Sequence, residues 1–178
     1  MQGQTTQGRV SLAWVHSLER RQQQLIQQSY DLYYRELELQ SHLSDYSFVV
    51  FPIAKAYEGF LKNLFFQMGL IDISTYHSRK FRIGRALNPD LHARHRDEQW
   101  LYDDIVRSCG AGLARSLWAA WLECRNHIFH YFPNELHGLS LEAVEKRLSM
   151  LNDAMQHAQS CMIEFKDKSP TKLEVKKL

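Results

Sequence analysis

The stretch LEAVEKRLSMLNDAMQHAQSCMIEF, residues 141–165, decides the fold. Leu141, Val144, Leu148, Leu151, Met155, Ala158, Met162 and Phe165 fall three and four apart without exception. On an α-helix that spacing gathers them into one seam, which must pack lengthwise on other helices. Working backwards, Pro133 must end the preceding helix, because a residue before proline avoids the α region. That helix, about 113–131, presents Leu113, Leu117, Trp121, Cys124 and Ile128 along one side. A break at Cys109-Gly110-Ala111-Gly112 separates it from a shorter helix near Glu98–Arg107, and Asn88-Pro89 stops another near Phe81–Leu87. Gly69 ends a helix that Ser44 and Asp45 can cap, with Ile53, Tyr57, Phe60, Leu61, Leu64 and Met68 on its buried face and Pro52 positioned to bend it. From Val10 to about Leu43 the chain holds no Gly or Pro, and Ile26, Tyr30, Tyr33 and Leu37 form an apolar stripe, so a long helix is expected. With no convincing strand set and no internal repeat, the prediction is an all-α, antiparallel helical bundle of four to five helices. One domain is expected over 9–166, after a flexible start at 1–8 and before a polar, lysine-rich tail at 167–178.

Composition agrees. The chain has 178 residues, 44% hydrophobic and 24% charged, which suits one globular domain with a real core and excludes a disordered or collagen-like chain. Only 4 Pro and 8 Gly argue against a turn-rich β-sandwich. The longest apolar run, Phe48–Ala54, is far short of the ~20 residues of a membrane span. Residues 1–9 contain no apolar core of a secretory signal. Cys109, Cys124 and Cys161 match no staple framework, and any disulfide scheme leaves one of them over, so reduced thiols in a cytoplasmic setting are expected. A net charge of +2 announces no polyanion partner by itself; local clustering must.

The chemistry concentrates in Glu123-Cys124-Arg125-Asn126-His127-Ile128-Phe129-His130-Tyr131-Phe132-Pro133. A permanently charged guanidinium stands five residues before an imidazole at a helix end. Arg125 can hold a phosphate through two parallel hydrogen bonds and neutralise charge developing on it. His130 suits proton transfer around a phosphodiester. Asn126 is four residues before His130 and shares its face. Arg125 lies about 140° away at ~100° per residue, so the helix must loosen before Pro133, or the arginine curl around it, for the two to meet.

Arg125-Asn126-x3-His130 resembles the Arg-polar-x3-His signature of HEPN domains, and Tyr57-Glu58-Gly59-Phe60-Leu61-Lys62 resembles a segment common in them. The resemblance spans roughly 45–165 but rests on these two segments. It implies a metal-independent endoribonuclease, active as a homodimer whose two Arg…His segments face one another in a composite active site. The ribose 2′-hydroxyl attacks the adjacent phosphate, leaving a cyclic phosphate and a 5′-hydroxyl. Many such proteins are toxins of toxin–antitoxin or anti-phage systems, which implies an antitoxin protein as a further partner. Lys55-x-x-Glu58 ahead of the motif is similar to the RNase LS toxins, where basic and acidic residues assist the Arg and His. The HepT-type toxins instead carry Arg-x4-His-x-Tyr with a modifiable tyrosine; this chain has Phe132 there and Tyr131 one position earlier.

Plainer readings stand beside these. Arg125 and His130 are also what a helix C-terminus attracts. Glu58 and Lys62 make an ordinary i,i+4 surface pair, and Lys55 fits a solvated position. Arg79, Lys80, Arg82, Arg85, Arg94 and Arg96 form a basic run opposed only by Asp90, either a solvated face or an electrostatic footprint for RNA. His92-x-x-His95 and Cys124-x-x-His127 lack a second ligand pair at finger spacing, so neither a metal nor any other cofactor is expected. Two rival functions remain open. One is a catalytically silent HEPN module binding RNA or a partner protein. The other is a helical adaptor that offers the 141–165 seam to a partner helix.

Overall fold

A computed structural model describes residues 13–131, 133 and 138–168. The expected flexible start, Phe132, the side chain of Phe165 and the tail beyond Lys168 lie outside the described residues. Four long helices form the body: α1 (Arg20–Leu39), α2 (Ser47–Gln67), α5 (Tyr102–Trp121) and α7 (Leu141–Lys168). Short helices α3 (Ile73–His77) and α4 (Ile83–Leu87) lie between α2 and α5, and α6 (His127–Phe129) follows a π-helical turn at Leu122–Asn126. No strand occurs among the described residues, and none of their helices is long and apolar enough to cross a membrane.

Contacts between helices fix their directions. Gln22 lies against Gly59, Ser29 Oγ accepts from Ile53 N at 2.9 Å, and Ser41 meets Tyr46, so α1 and α2 run antiparallel. Tyr57 donates to Leu117 O at 2.9 Å and Phe51 meets Phe129 edge-on at 5.5 Å, so α2 and α5 do too. Cys109 is bonded to Cys161, and Cys124 lies on Arg147 O at 3.7 Å, which reverses α7 against α5. The bundle is therefore up-down-up-down, the arrangement expected for short-range antiparallel packing.

The seam that decided the fold is the core's spine: Val144, Leu148, Leu151, Met155 and Ala158 are all buried, against Ile53, Tyr57, Leu61, Ile105, Leu117 and Ile26 from the other helices. An adaptor that leaves this seam open to a partner is thereby excluded. Asp45 clamps the starts of α2 and α7, accepting from Ser47 N and Leu139 N at 3.0 Å each. Burial pushes its carboxyl up, but the hydrogen bonds from Ser47 and Leu139 outweigh it and hold the group below the usual carboxylate range. Gly69 has φ 71 and ends α2 as expected.

Two differences from expectation have local causes, and one expected break is found. The first helix starts at Arg20, not Val10: residues 13–17 form a 3-10 turn whose Trp14 Nε1 donates to Asn152 Oδ1 across the bundle. The break expected at Cys109–Gly112 is present: Gly110 adopts a non-helical φ 85, ψ 157 and kinks α5 into two helical parts. The thiols are not all reduced. Cys109 precedes that break and faces α7, which brings its Cα within 5.9 Å of that of Cys161, inside the ~4.4–6.8 Å a disulfide spans.

Candidate functional site

The Arg125–His130 segment begins where α5 changes winding. Between Leu122 and Asn126 the chain is π-helical, with His127 N bonded to Leu122 O, and α6 then ends at Phe129. A turn closed by an i→i+5 bond is wider than an α turn, and such turns recur at functional sites. The loosening required of this segment is therefore present. His130 is extended (φ −114, ψ 141), and its Nδ1 lies 2.8 Å from Asn126 O. A carbonyl only accepts, so Nδ1 carries the hydrogen, and the lone pair of the neutral ring sits on Nε2. Asn126 thus orients His130 through its backbone rather than its side chain.

Arg125 is half-buried, and its guanidinium lies over the Trp121 indole, 5.2 Å from the ring centroid. Such a contact is worth ~0.5–1 kcal/mol where water has access. Arg125 makes no ion pair with a carboxylate among the described residues. No hydrogen bond joins it to His130 either. The indole also meets α4: a Cβ added at Gly84 would come within 2.6 Å of Trp121 Nε1. Trp121 therefore links Arg125 to the basic run, a link absent from the sequence reading although an aromatic four residues before an arginine is its signal.

Phe51, Lys55, Glu58 and Lys62 share one face of α2 by their 4-3-4 spacing. Phe51 meets Phe129, the residue before His130, so this face starts against the candidate segment. Lys55 is exposed and Glu58 half-buried. The expected Glu58–Lys62 surface pair does not form; Lys62 Nζ donates to Ser78 O at 3.1 Å. Glu58 is left without an ion pair or hydrogen bond among the described residues.

The basic run divides in two. Arg85 forks onto Asp97 at 3.0 and 2.8 Å and also donates to His95 O at 2.6 Å. Arg96 donates to Leu91 O and Pro89 O and stacks on Trp100 at 4.0 Å. These two hold the 88–101 loop together. Arg94 bonds the neighbouring His95 ring at 3.0 Å. Arg79, Lys80 and Arg82 are exposed and point no charge at a carboxylate among the described residues, which leaves them available to a polyanion. Indole Nε1 of Trp100 donates to Asn88 O, so this tryptophan serves the loop, whereas Trp14 and Trp118 pack on the core.

One further group, Glu123, escaped the sequence reading. Glu123 is held between Arg147 Nη2 at 3.1 Å and His127 Nδ1 at 3.4 Å, which ties the π turn to α7. Cys124 is buried, on the core side expected of it. Burial, opposed by Arg147 and aided by Glu123, pushes its thiol up to about 12, so it is an inert core residue. Comparison with known protein families, with curated proteins and with solved structures finds no match.

Proposed function

We propose that this chain is a metal-independent endoribonuclease of the HEPN type, acting as the toxin of a toxin–antitoxin or anti-phage system. The observation that carries the reading is the state of Arg125: a guanidinium braced on Trp121, unclaimed by any carboxylate among the described residues, in a π turn just ahead of a histidine whose ring is set by a backbone carbonyl. Arg125 binds the scissile phosphate and stabilises the charge that builds on its oxygens. His130 Nε2 takes the proton of the ribose 2′-hydroxyl as that oxygen attacks phosphorus. The protonated ring then returns a proton to the departing 5′-oxygen, giving a 2′,3′-cyclic phosphate and a 5′-hydroxyl. Glu58, on the α2 face that begins at Phe51, assists proton transfer. Lys55, Arg79, Lys80 and Arg82 guide the RNA backbone, while Arg85, Arg94 and Arg96 shape the loop that presents them. Two copies pair so that their Arg125–His130 segments share one cleft, and an antitoxin protein restrains the complex.

The test is incubation with RNA in EDTA, followed by end-group analysis. Cyclic phosphate and 5′-hydroxyl ends are expected, lost in Arg125→Ala and His130→Ala proteins that remain helical by circular dichroism. Cleavage that requires a divalent metal counts against the mechanism. RNA binding without products, together with normal growth on expression, returns the reading to a silent RNA-binding module.

A further inference from the structure

Sixteen residues before Arg125 in the chain, the Cys109–Cys161 bridge opens onto a cavity of about 530 Å³ between α5 and α7. The cavity is lined by both cysteines together with Ser108, Ser116, Ser160, His157 and Glu164. This bridge faces a space of mixed polar and apolar lining, within the size range of small-molecule sites, ~300–1,000 Å³. His157 stands one turn before Cys161 on α7, so both side chains lie on one face of the helix and both reach the cavity. Cys109 is followed by Gly110, whose φ of 85 breaks α5, so the chain beside this sulfur is not locked into a continuous helix.

We infer that the Cys109–Cys161 bridge is a thiol–disulfide exchange site that admits a hydrophilic low-molecular-weight thiol of the glutathione class. The serine hydroxyls and His157 supply hydrogen-bonding groups for its amide and carboxylate functions. An incoming thiolate attacks Cys109 Sγ; the bond to Cys161 Sγ breaks, its electron pair leaves on Cys161, and His157 gives that sulfur a proton. The product is a mixed disulfide on Cys109. A second thiolate attacks the outer sulfur of that mixed disulfide and releases the small-molecule disulfide, and Cys109 leaves as a thiolate that takes a proton from solvent. Two small thiols are oxidised to one disulfide while one protein disulfide becomes two thiols. The first half of α5 is then no longer joined covalently to α7 at the Gly110 break. Nothing in this step depends on the ribonuclease reading.

The experiment uses the full chain under native conditions. Reduced glutathione is added, aliquots are quenched and alkylated without denaturant, and labelled cysteines are located by peptide mass. Cys109 and Cys161 are expected to become labelled, through a detectable glutathione adduct on Cys109, while buried Cys124 stays unlabelled. His157→Ala is expected to slow the reaction at neutral pH, by about 100-fold if it supplies full proton-transfer assistance. Leu113→Trp, which narrows the cavity while keeping both cysteines, is expected to slow it as well. A bridge that opens only when denaturant also exposes Cys124, or at a rate that neither variant changes, would overturn the assignment.

Discussion

Gly84→Ala tests whether the indole that braces Arg125 is fixed by α4. The added Cβ would sit 2.6 Å from Trp121 Nε1 and 3.3 Å from Cε2, so the ring must retreat by 0.8 Å (3.4 − 2.6) to restore ordinary contact. Trp121 is only 7% exposed and cannot move freely. Overpacking of this kind costs ~1–3 kcal/mol. Alanine returns ~1 kcal/mol through helix propensity, so the net loss is about 0–2 kcal/mol. At ~2–4 °C per kcal/mol for a chain of this size, thermal unfolding should fall by up to about 8 °C. Gly112→Ala is the internal control: its Cβ meets nothing within 4 Å in a helical stretch, so it should gain ~0.5–1 kcal/mol. The assay is thermal melting by circular dichroism beside RNA cleavage measured well below the melting range. Gly84→Ala should lose cleavage although folded, because Arg125 follows the displaced ring, whereas Gly112→Ala should not. Equal melting temperatures and equal cleavage in the two variants would refute the reasoning.

Leu148→Ala, at a site 1% exposed in the centre of the α7 seam, should destabilise by ~2–5 kcal/mol in urea unfolding without changing the slope. Asp45→Ala should cost ~0.5–1.5 kcal/mol at neutral pH by freeing Ser47 and Leu139 amides. Because the folded carboxyl is the stronger acid, that contribution is present above the unfolded value of about 3.9 and fades as the pH falls through the lower folded value. Unfolding midpoints of wild type and variant should therefore converge below pH 3.9. Replacing Arg79, Lys80 and Arg82 by Gln should weaken RNA binding and lower the salt slope by about 2, at ~0.7 per single-strand phosphate contact. Arg96→Gln should instead loosen the 88–101 loop and expose Trp100, measurable as a shift in tryptophan emission.

What was legible in the sequence follows from what is periodic. The 141–165 seam, the α2 face through Ile53, Tyr57, Leu61 and Leu64, and the Gly69 stop each rest on spacing or a local backbone requirement, and each lies where expected. What was not legible depends on partners distant in the chain. Trp14 folds back to Asn152, which shortens the first helix, and Asp45 reaches Leu139 instead of serving only its own helix. Cys109 and Cys161 are 52 residues apart, and only the Gly110 break and the antiparallel run of α7 bring them together. At the site, Arg125 and His130 were visible as a pair. The π turn was not; Glu123, held between Arg147 and His127, ties it to a helix distant in the chain. Nor could composition separate arginines that hold a loop, such as Arg85 and Arg96, from those that face solvent.

The central claim is that Arg125 and His130 together drive attack by a ribose 2′-hydroxyl. It is tested most directly with two matched oligoribonucleotides in chelator, one all-RNA and one carrying a single 2′-deoxy residue 5′ to the mapped cleavage point. The account predicts that wild-type protein cuts the first and spares the second at that bond, and that His130→Ala cuts neither. Scission of the deoxy-substituted bond at an undiminished rate, or an all-RNA strand left whole, would contradict it.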